Sequence, residues 1–323
     1  MESIEILEVS RVAPSSDSAT EFTLQLTYFD TYWFKFPCVQ RVFYYPLADP
    51  TNLFFNSTVV PTLKRALALT LAHYIPLAGE LAWPASAEKP YIRYSPPDGG
   101  VRFVVAESND PDSFVRLSGR EPHDAAESYP YAPELQVSDS AASPVSVQAT
   151  FFPGHGFALG LTSHHMILDG RSVAMFVKCW AHVSKALADG SEIVTVPEEM
   201  RPWLDRSVVS DPDRLDLSYL KTRSEMSWGS IDPQCNDKDE RNPRSLRLLP
   251  YFVPPQENIV RAAYEFSPED INRLRRHVAG GDDNLRLSSF VLTYSYTLSC
   301  IALAKPLDDA DKFCATYMVD CRG

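Results

Sequence analysis

The sequence predicts a mixed α/β protein of two domains, on three observations. Strand-like alternation and helix-like periodicity succeed each other along the chain. Its 323 residues exceed a single domain of about 150 residues. A polar stretch carrying Pro197, Pro202 and Pro212 then interrupts the pattern. Residues 1–190 are expected to form the first domain, 191–220 a crossover linker, and 221–323 to belong to a second domain.

Residues 1–50 read as β-structure. IEILEV alternates, TEFTLQLTYFD has strand composition, and QRVFYYPL ends at a proline. From Val59 to Ile75 the period becomes helical, with Leu63, Leu67, Leu71 and Tyr74 on one stripe and a stop near Pro76. Gly79, in the turn that follows, is assigned to backbone geometry. YIRYS and VRFVVAE read as strands, separated by the hairpin-like punctuation Pro96-Pro97-Asp98-Gly99-Gly100. Residues 107–142 are polar and proline-rich, as loops and short helical turns are.

The clearest run follows. SVQATFF and FALGLTS flank Pro153-Gly154-His155-Gly156, giving a strand, a turn and a returning strand. After His164-His165-Met166-Ile167-Leu168-Asp169-Gly170 comes a helix with the stripe Val173, Phe176, Val177, Trp180 and Leu187, and Gly190 near its end. Beyond the linker, residues 228–243 read as loop, LRLLPYF and ENIVRAAYEFS as strands, and PEDINRLRRHVAGG as a short helix with a glycine stop. LSSFVLTYSYTLSCIALAK reads as a buried helix opened by Ser288 or Ser289, and KFCATYMVDCR as a strand.

Composition excludes whole classes of function. Thirty basic residues against 42 acidic ones give a charge of −12, the wrong sign for displacing phosphate counterions, so no nucleic acid is expected as partner. With 45% apolar and 22% charged residues the chain can bury a substantial core. Its 6 cysteines contain no C-x-x-C pair, which argues against a disulfide scaffold and against a metal site. Cys38, Cys300 and Cys321 are read as buried fillers. The opening MESIEILEVS carries acids and alternates, unlike a secretory signal, and no apolar run approaches the roughly 20 residues that span a bilayer. The expected location is cytoplasmic, with no membrane partner, and the Asn56-Ser57-Thr58 sequon is read as chance.

His165 and Asp169 stand four apart where a strand becomes a loop before a helix, a place from which side chains reach a cleft. A histidine can take a proton near neutral pH, a nearby carboxylate can orient its ring, and Gly170 would permit an unusual turn. No G-x-S-x-G elbow, Walker loop or dinucleotide fingerprint accompanies them. What is left is a general base without its own nucleophile, suited to direct attack by a substrate hydroxyl or amine on an activated acyl group. On spacing alone, a histidine that caps or hydrogen-bonds a loop is the commoner outcome. Trp33, Phe34 and Phe36 either line an acceptor channel or pack in the core. Arg273, Arg275, Arg276 and His277 read as a solvated helix face rather than a phosphate site.

The surroundings add a resemblance. SHHMILDGRS followed by a helix resembles the catalytic segment of the BAHD acyltransferases, which move acyl groups from coenzyme A thioesters to hydroxyls or amines. LTYFDTYWFKFPCVQRVFYY, LKRALALTLAHYIPLAGEL, RPWLDRSVVSDP, LSSFVLTYSYTLSC and YMVDCR are similar to further segments of that family. The first of these looks like the branch acting on anthocyanins and other phenolic glycosides.

The resemblance implies a chloramphenicol-acetyltransferase-like two-domain fold, with mixed sheets flanked by helices. It implies acyl-CoA as co-substrate, malonyl-CoA by preference, no bound cofactor, and a phenolic glycoside as acceptor. His165 would be the general base. Asp169 would be structural, turned towards an arginine for which Arg322 is the candidate. His164 is read as a packed or hydrogen-bonded neighbour.

Family chains continue beyond V-D-C-R to a D-F-G-W-G signature, whereas this sequence ends at Gly323 and contains no such segment. The expectation is therefore an incomplete second domain with an unpaired edge, in a family of monomers, and self-association through that edge. Two competing functions follow: transfer of an aromatic acyl group such as coumaroyl, or a non-catalytic remnant that binds a ligand or a relative. Chloramphenicol acetyltransferases and peptide-synthetase condensation domains share the H-H-x-x-x-D-G segment but not the neighbouring ones.

Overall fold

The computed structural model describes residues 4–15, 20–96, 98–225, 242–247, 259–280, 285–304, 315–317 and 319. The chain divides into two compact units, Met1–Ala262 and Ala263–Gly323. In the first unit the strands are β1 (Ile4–Val12), β2 (Phe22–Gln25), β3 (Val39–Pro46), β4 (Glu80–Ala82), β5 (Tyr91–Tyr94), β6 (Val101–Ser108), β7 (His123–Asp124), β8 (Ala141–Ala142), β9 (Val145–Phe152), β10 (Gly156–Ser163) and β11 (Val260–Arg261). Its helices are α1 (Tyr28–Thr31), α2 (Asn52–Phe54), α3 (Val60–Leu71), α4 (Ser113–Ser118), α5 (Gly170–Ala188) and α6 (Leu215–Glu225). The second unit holds α7 (Pro268–Ala279) and α8 (Ser289–Ala304).

The central sheet runs β1-β6-β9-β10-β3 and is mixed, because β6 and β9 pair in parallel while the other neighbours are antiparallel. Every residue of β9 and β10 is buried, and the two-residue period of the strand explains how. Val145, Val147, Ala149 and Phe151 face one core with α3 and α5 residues, among them Leu67, Leu71, Phe176 and Trp180. Between them Ser146, Gln148 and Thr150 point to the other face, where chain lies across the sheet. Gln148 Nε2 donates to the Pro130 carbonyl at 2.9 Å, and the Thr162 hydroxyl donates to the Pro133 carbonyl at 2.5 Å. Gly160 is required by this approach, since a Cβ there would stand 1.9 Å from the Tyr131 carbonyl oxygen. Gly79 plays the same part beside the Arg93 carbonyl, at 2.2 Å.

The expected helical stripes are the buried ones. Leu67, Leu71 and Tyr74 pack against Val173, Phe176 and Trp180, and the Trp180 indole N–H donates to the Leu63 carbonyl at 3.0 Å. Burying each such side chain stabilises the fold by roughly 1.5–3 kcal/mol. A smaller sheet, β2-β5-β4-β8, covers a second core of Leu24, Leu26, Phe34, Leu81, Trp83 and Ile92.

Four expectations about elements are corrected. TEFTLQLTYFD is only half strand, because a capping box between Thr27 and Asp30 turns its end into α1. The punctuation at residues 96–100 joins no hairpin: β5 pairs in the smaller sheet and β6 in the central one. ENIVRAAYEFS contributes only β11, which pairs with β7. Finally, α8 is largely exposed, with Leu292 its one buried residue, because within its unit α7, Phe266 and Tyr317 cover little of it. The reading of Cys38 and Cys300 as buried fillers is corrected too: Cys300 on that helix is exposed and Cys38 is half-buried, while Cys179 is buried. Cys321 lies outside the described residues, as do most of residues 228–243, LRLLPYF and KFCATYMVDCR. On α7, Arg273, Arg276 and His277 are exposed, and Gly280 ends the helix in a left-handed conformation.

Candidate active site

The histidine pair sits on the loop between β10 and α5, and the loop is pinned from both sides. Met166 is buried in the second core and Leu168 in the first. The His164 N–H extends the ladder to the Pro144 carbonyl at 3.0 Å, and its carbonyl accepts from Ile167 and Leu168 N–H at 3.0 and 3.3 Å. The His164 side chain folds inward, where Nδ1 accepts the Met166 N–H at 3.3 Å. That bond leaves the proton on Nε2, which is buried and has no partner among the described residues. Burial, with His165 alongside, holds the His164 pKa down at about 4, so the ring is neutral at pH 7.

Asp169 ends the loop as the N-cap of α5, with Oδ1 accepting the Ser172 N–H at 2.8 Å. Gly170 is the first helical residue and has no left-handed φ, so its expected role in an unusual turn does not hold. A Cβ there would make only ordinary contact, 3.6 Å from an Arg41 guanidinium nitrogen. Arg322 lies outside the described residues. Asp169→Ala is expected to lower stability by about 1 kcal/mol, through loss of the cap, and to reduce turnover by loosening the loop. Asp169→Asn, which keeps a capping oxygen, is expected to melt close to the parent; thermal unfolding of both variants checks this.

His165 lies half-buried on the outer side of the loop. The antiparallel register Ser163↔Val39 brings the residues after β10 beside those before β3, a pairing distant in sequence. The His165 imidazole therefore stacks on the Trp33 indole, with centroids 3.9 Å apart and planes 6° from parallel, while Phe36 meets it edge-on at 6.2 Å. Of its ring nitrogens Nδ1 is sealed from solvent, and no hydroxyl or thiol among the described residues partners it. Burial pushes the His165 pKa below the ordinary imidazole value, opposed by its own backbone carbonyl and by the Asp169 charge. The ring is held as a neutral base.

Local sequence explains why Trp33 stands there. Asp30 accepts the Thr27 N–H at 2.7 Å and the Thr27 hydroxyl at 2.8 Å, starting α1, and Arg206 binds the same carboxylate at 3.1 Å. Phe34 plugs the second core against Trp83, and Lys35 takes a left-handed φ of 67°. Trp33 and Phe36 are thereby turned to the histidine. The Arg223 guanidinium lies 4.7 Å from the centres of both the Tyr32 and Phe36 rings. The three aromatic residues weighed at the sequence level thus divide: Phe34 is core, Trp33 and Phe36 face His165. Sequence gave no sign of Arg223.

A cavity of about 820 Å³ lies elsewhere, lined by Arg11, Gly79, Arg93, Tyr94, Ser138 and neighbouring residues, and contains neither histidine. Among the described residues no three His, Cys, Asp or Glu side chains gather as metal ligands would. None of the described helices is long and apolar enough to cross a membrane.

Residues 2–225 match the model of a family described as the Transferase family. The chain is 40% identical to a phenolic glucoside malonyltransferase 1 of Arabidopsis thaliana, over 99% of its own length and 68% of that protein's. It is also 40% identical to a malonyl-CoA:anthocyanidin 5-O-glucoside-6''-O-malonyltransferase of the same plant, over 99% and 66%. An agmatine coumaroyltransferase of that plant matches at 32%, over 99% and 68%. The chain thus spans about two thirds of the length of these relatives. Matched over more than half its length by the family model, and over nearly all of it by these enzymes, the chain belongs to the BAHD acyltransferase family.

Proposed function

We propose that the chain serves acyl transfer from a coenzyme A thioester, malonyl-CoA by preference, to a hydroxyl of a phenolic glycoside. The observation that carries the reading is a half-buried imidazole, kept neutral, on an aromatic wall without a serine or cysteine partner among the described residues. Such a group needs a substrate nucleophile. His165 Nε2 takes the proton of the acceptor hydroxyl as its oxygen bonds to the thioester carbonyl carbon. The tetrahedral centre collapses, the C–S bond breaks, and the coenzyme A thiolate recovers the proton from Nε2. Acyl-CoA is thus a co-substrate, and no resident cofactor is invoked.

The names of the two relatives at 40% identity support the malonyl donor and the glycoside acceptor. Asp169 acts by capping α5 and Arg322 is its proposed further partner. The proposal keeps the domain bounds 1–190, 191–220 and 221–323, and a cytosolic monomer. The test is release of free thiol by the purified chain from malonyl-CoA, with and without a phenolic glucoside. Acceptor-dependent release is expected. Release that ignores the acceptor, or none with malonyl-CoA or coumaroyl-CoA, overturns the reading. Coumaroyl-CoA competes as donor through the 32% match, and faster release with it would replace malonyl.

A further inference from the structure

The stack on His165 has a consequence for turnover. A histidine acting as base must present Nε2 along one direction, yet among the described residues no side chain partners its buried Nδ1, and its own backbone carbonyl is the hydrogen-bonding group that acts on the ring. Rotation of the imidazole about its bond to the backbone-linked carbon is opposed by the indole of Trp33, 3.9 Å away and 6° from parallel. Phe36, edge-on at 6.2 Å, limits tilt from a second direction. Trp33 is in turn immobilised on both sides in sequence: its N–H donates to the Asp30 carbonyl at 3.1 Å, Phe34 is buried, and the Phe36 N–H donates to the Trp33 carbonyl at 3.1 Å.

Resting on the acyl-transfer reading above, we propose that Trp33 is the positioning residue of the base, fixing the plane of the His165 ring by stacking. In many sites an imidazole is oriented by an acceptor on its second nitrogen alone; here a flat aromatic face adds to what the ring's own backbone carbonyl supplies. The same face excludes water from one side of the ring and offers a π-surface to the imidazolium formed when Nε2 takes the hydroxyl proton. The charged or titratable groups around the ring are His164 and Asp169 on its own loop, and Arg223 of α6 held against Phe36.

The experiment compares the full chain with Trp33→Leu and Trp33→Phe, by thiol release and by NMR of the His165 ring. Trp33→Leu is expected to lower kcat by about 10- to 100-fold, the scale of a misplaced reacting group, with acceptor KM little changed. Trp33→Phe, which keeps an aromatic face, is expected to recover most of that loss. In Trp33→Leu the ring protons of His165 lose their ring-current shift and the pKa rises towards the ordinary imidazole value as water reaches the ring. Unchanged kcat and an unchanged His165 titration in Trp33→Leu overturn the proposal. A parent chain that releases no thiol, yet shows the His165 shift and its loss in Trp33→Leu, overturns the acyl-transfer reading and leaves the stacking role standing. Should Trp33→Leu not fold, Trp33→Phe decides: a shift and rate far from the parent's, with the aromatic face kept, count against stacking.

Discussion

Replacing His165 with alanine is expected to lower kcat/KM for acyl transfer by about 10²- to 10⁴-fold, the usual contribution of a positioned general base. The fold should survive. The ring is half-buried, no side chain among the described residues partners its Nδ1, and the stack on Trp33 contributes only about 1 kcal/mol. Thermal unfolding then separates lost chemistry from lost structure. The same group sets the acid limb of the pH profile. A base works only when unprotonated, and burial keeps the His165 pKa below its ordinary value. Activity of the parent is therefore expected to hold as pH falls through about 6.5 and to fail below it. A variant that keeps full activity, or an acid limb above that pH, would contradict the assignment of His165 as the base.

The strand-turn-strand before the motif, and the helix after it, were legible because their periods are unmixed. Odd residues of β9 are apolar and face helices, and Val173, Phe176 and Trp180 recur at helical spacing. Asp169 as a cap follows from its place before the helical stripe. What could not be read were contacts made by pairing at a distance. The register Ser163↔Val39 brings Trp33 and Phe36 to His165 across more than a hundred residues of chain, and no local pattern encodes it. The same limit applies to Arg223 and to the hairpin that residues 96–100 only imitate, since the turn chemistry is present but the strands join different sheets. The exposed α8 errs in the opposite direction. Its apolar sequence describes what the helix could bury, not what the described residues of its own unit cover.

Acid is expected to destabilise the fold through His164, and the sign follows from its environment. The folded ring has a pKa of about 4 because burial disfavours its charged form, whereas an unfolded histidine has about 6.5. Between those values the unfolded chain binds the proton and the folded chain does not, so stability falls as pH falls. The contribution is fully present above the unfolded pKa, is lost from there down to the folded pKa, and amounts to about 3 kcal/mol in total. His73 and His165, also held low by burial, act in the same direction. A substitution therefore has to isolate His164. In His164→Asn a side-chain oxygen can still accept the Met166 N–H, but nothing titrates. Denaturant unfolding of parent and variant at several pH values should give curves that differ at pH 7. They should converge, or cross, as pH approaches 4, the parent losing about 3 kcal/mol more than the variant. Parallel pH dependences would show that His164 is not the buried, neutral ring on which the inward fold of the loop depends.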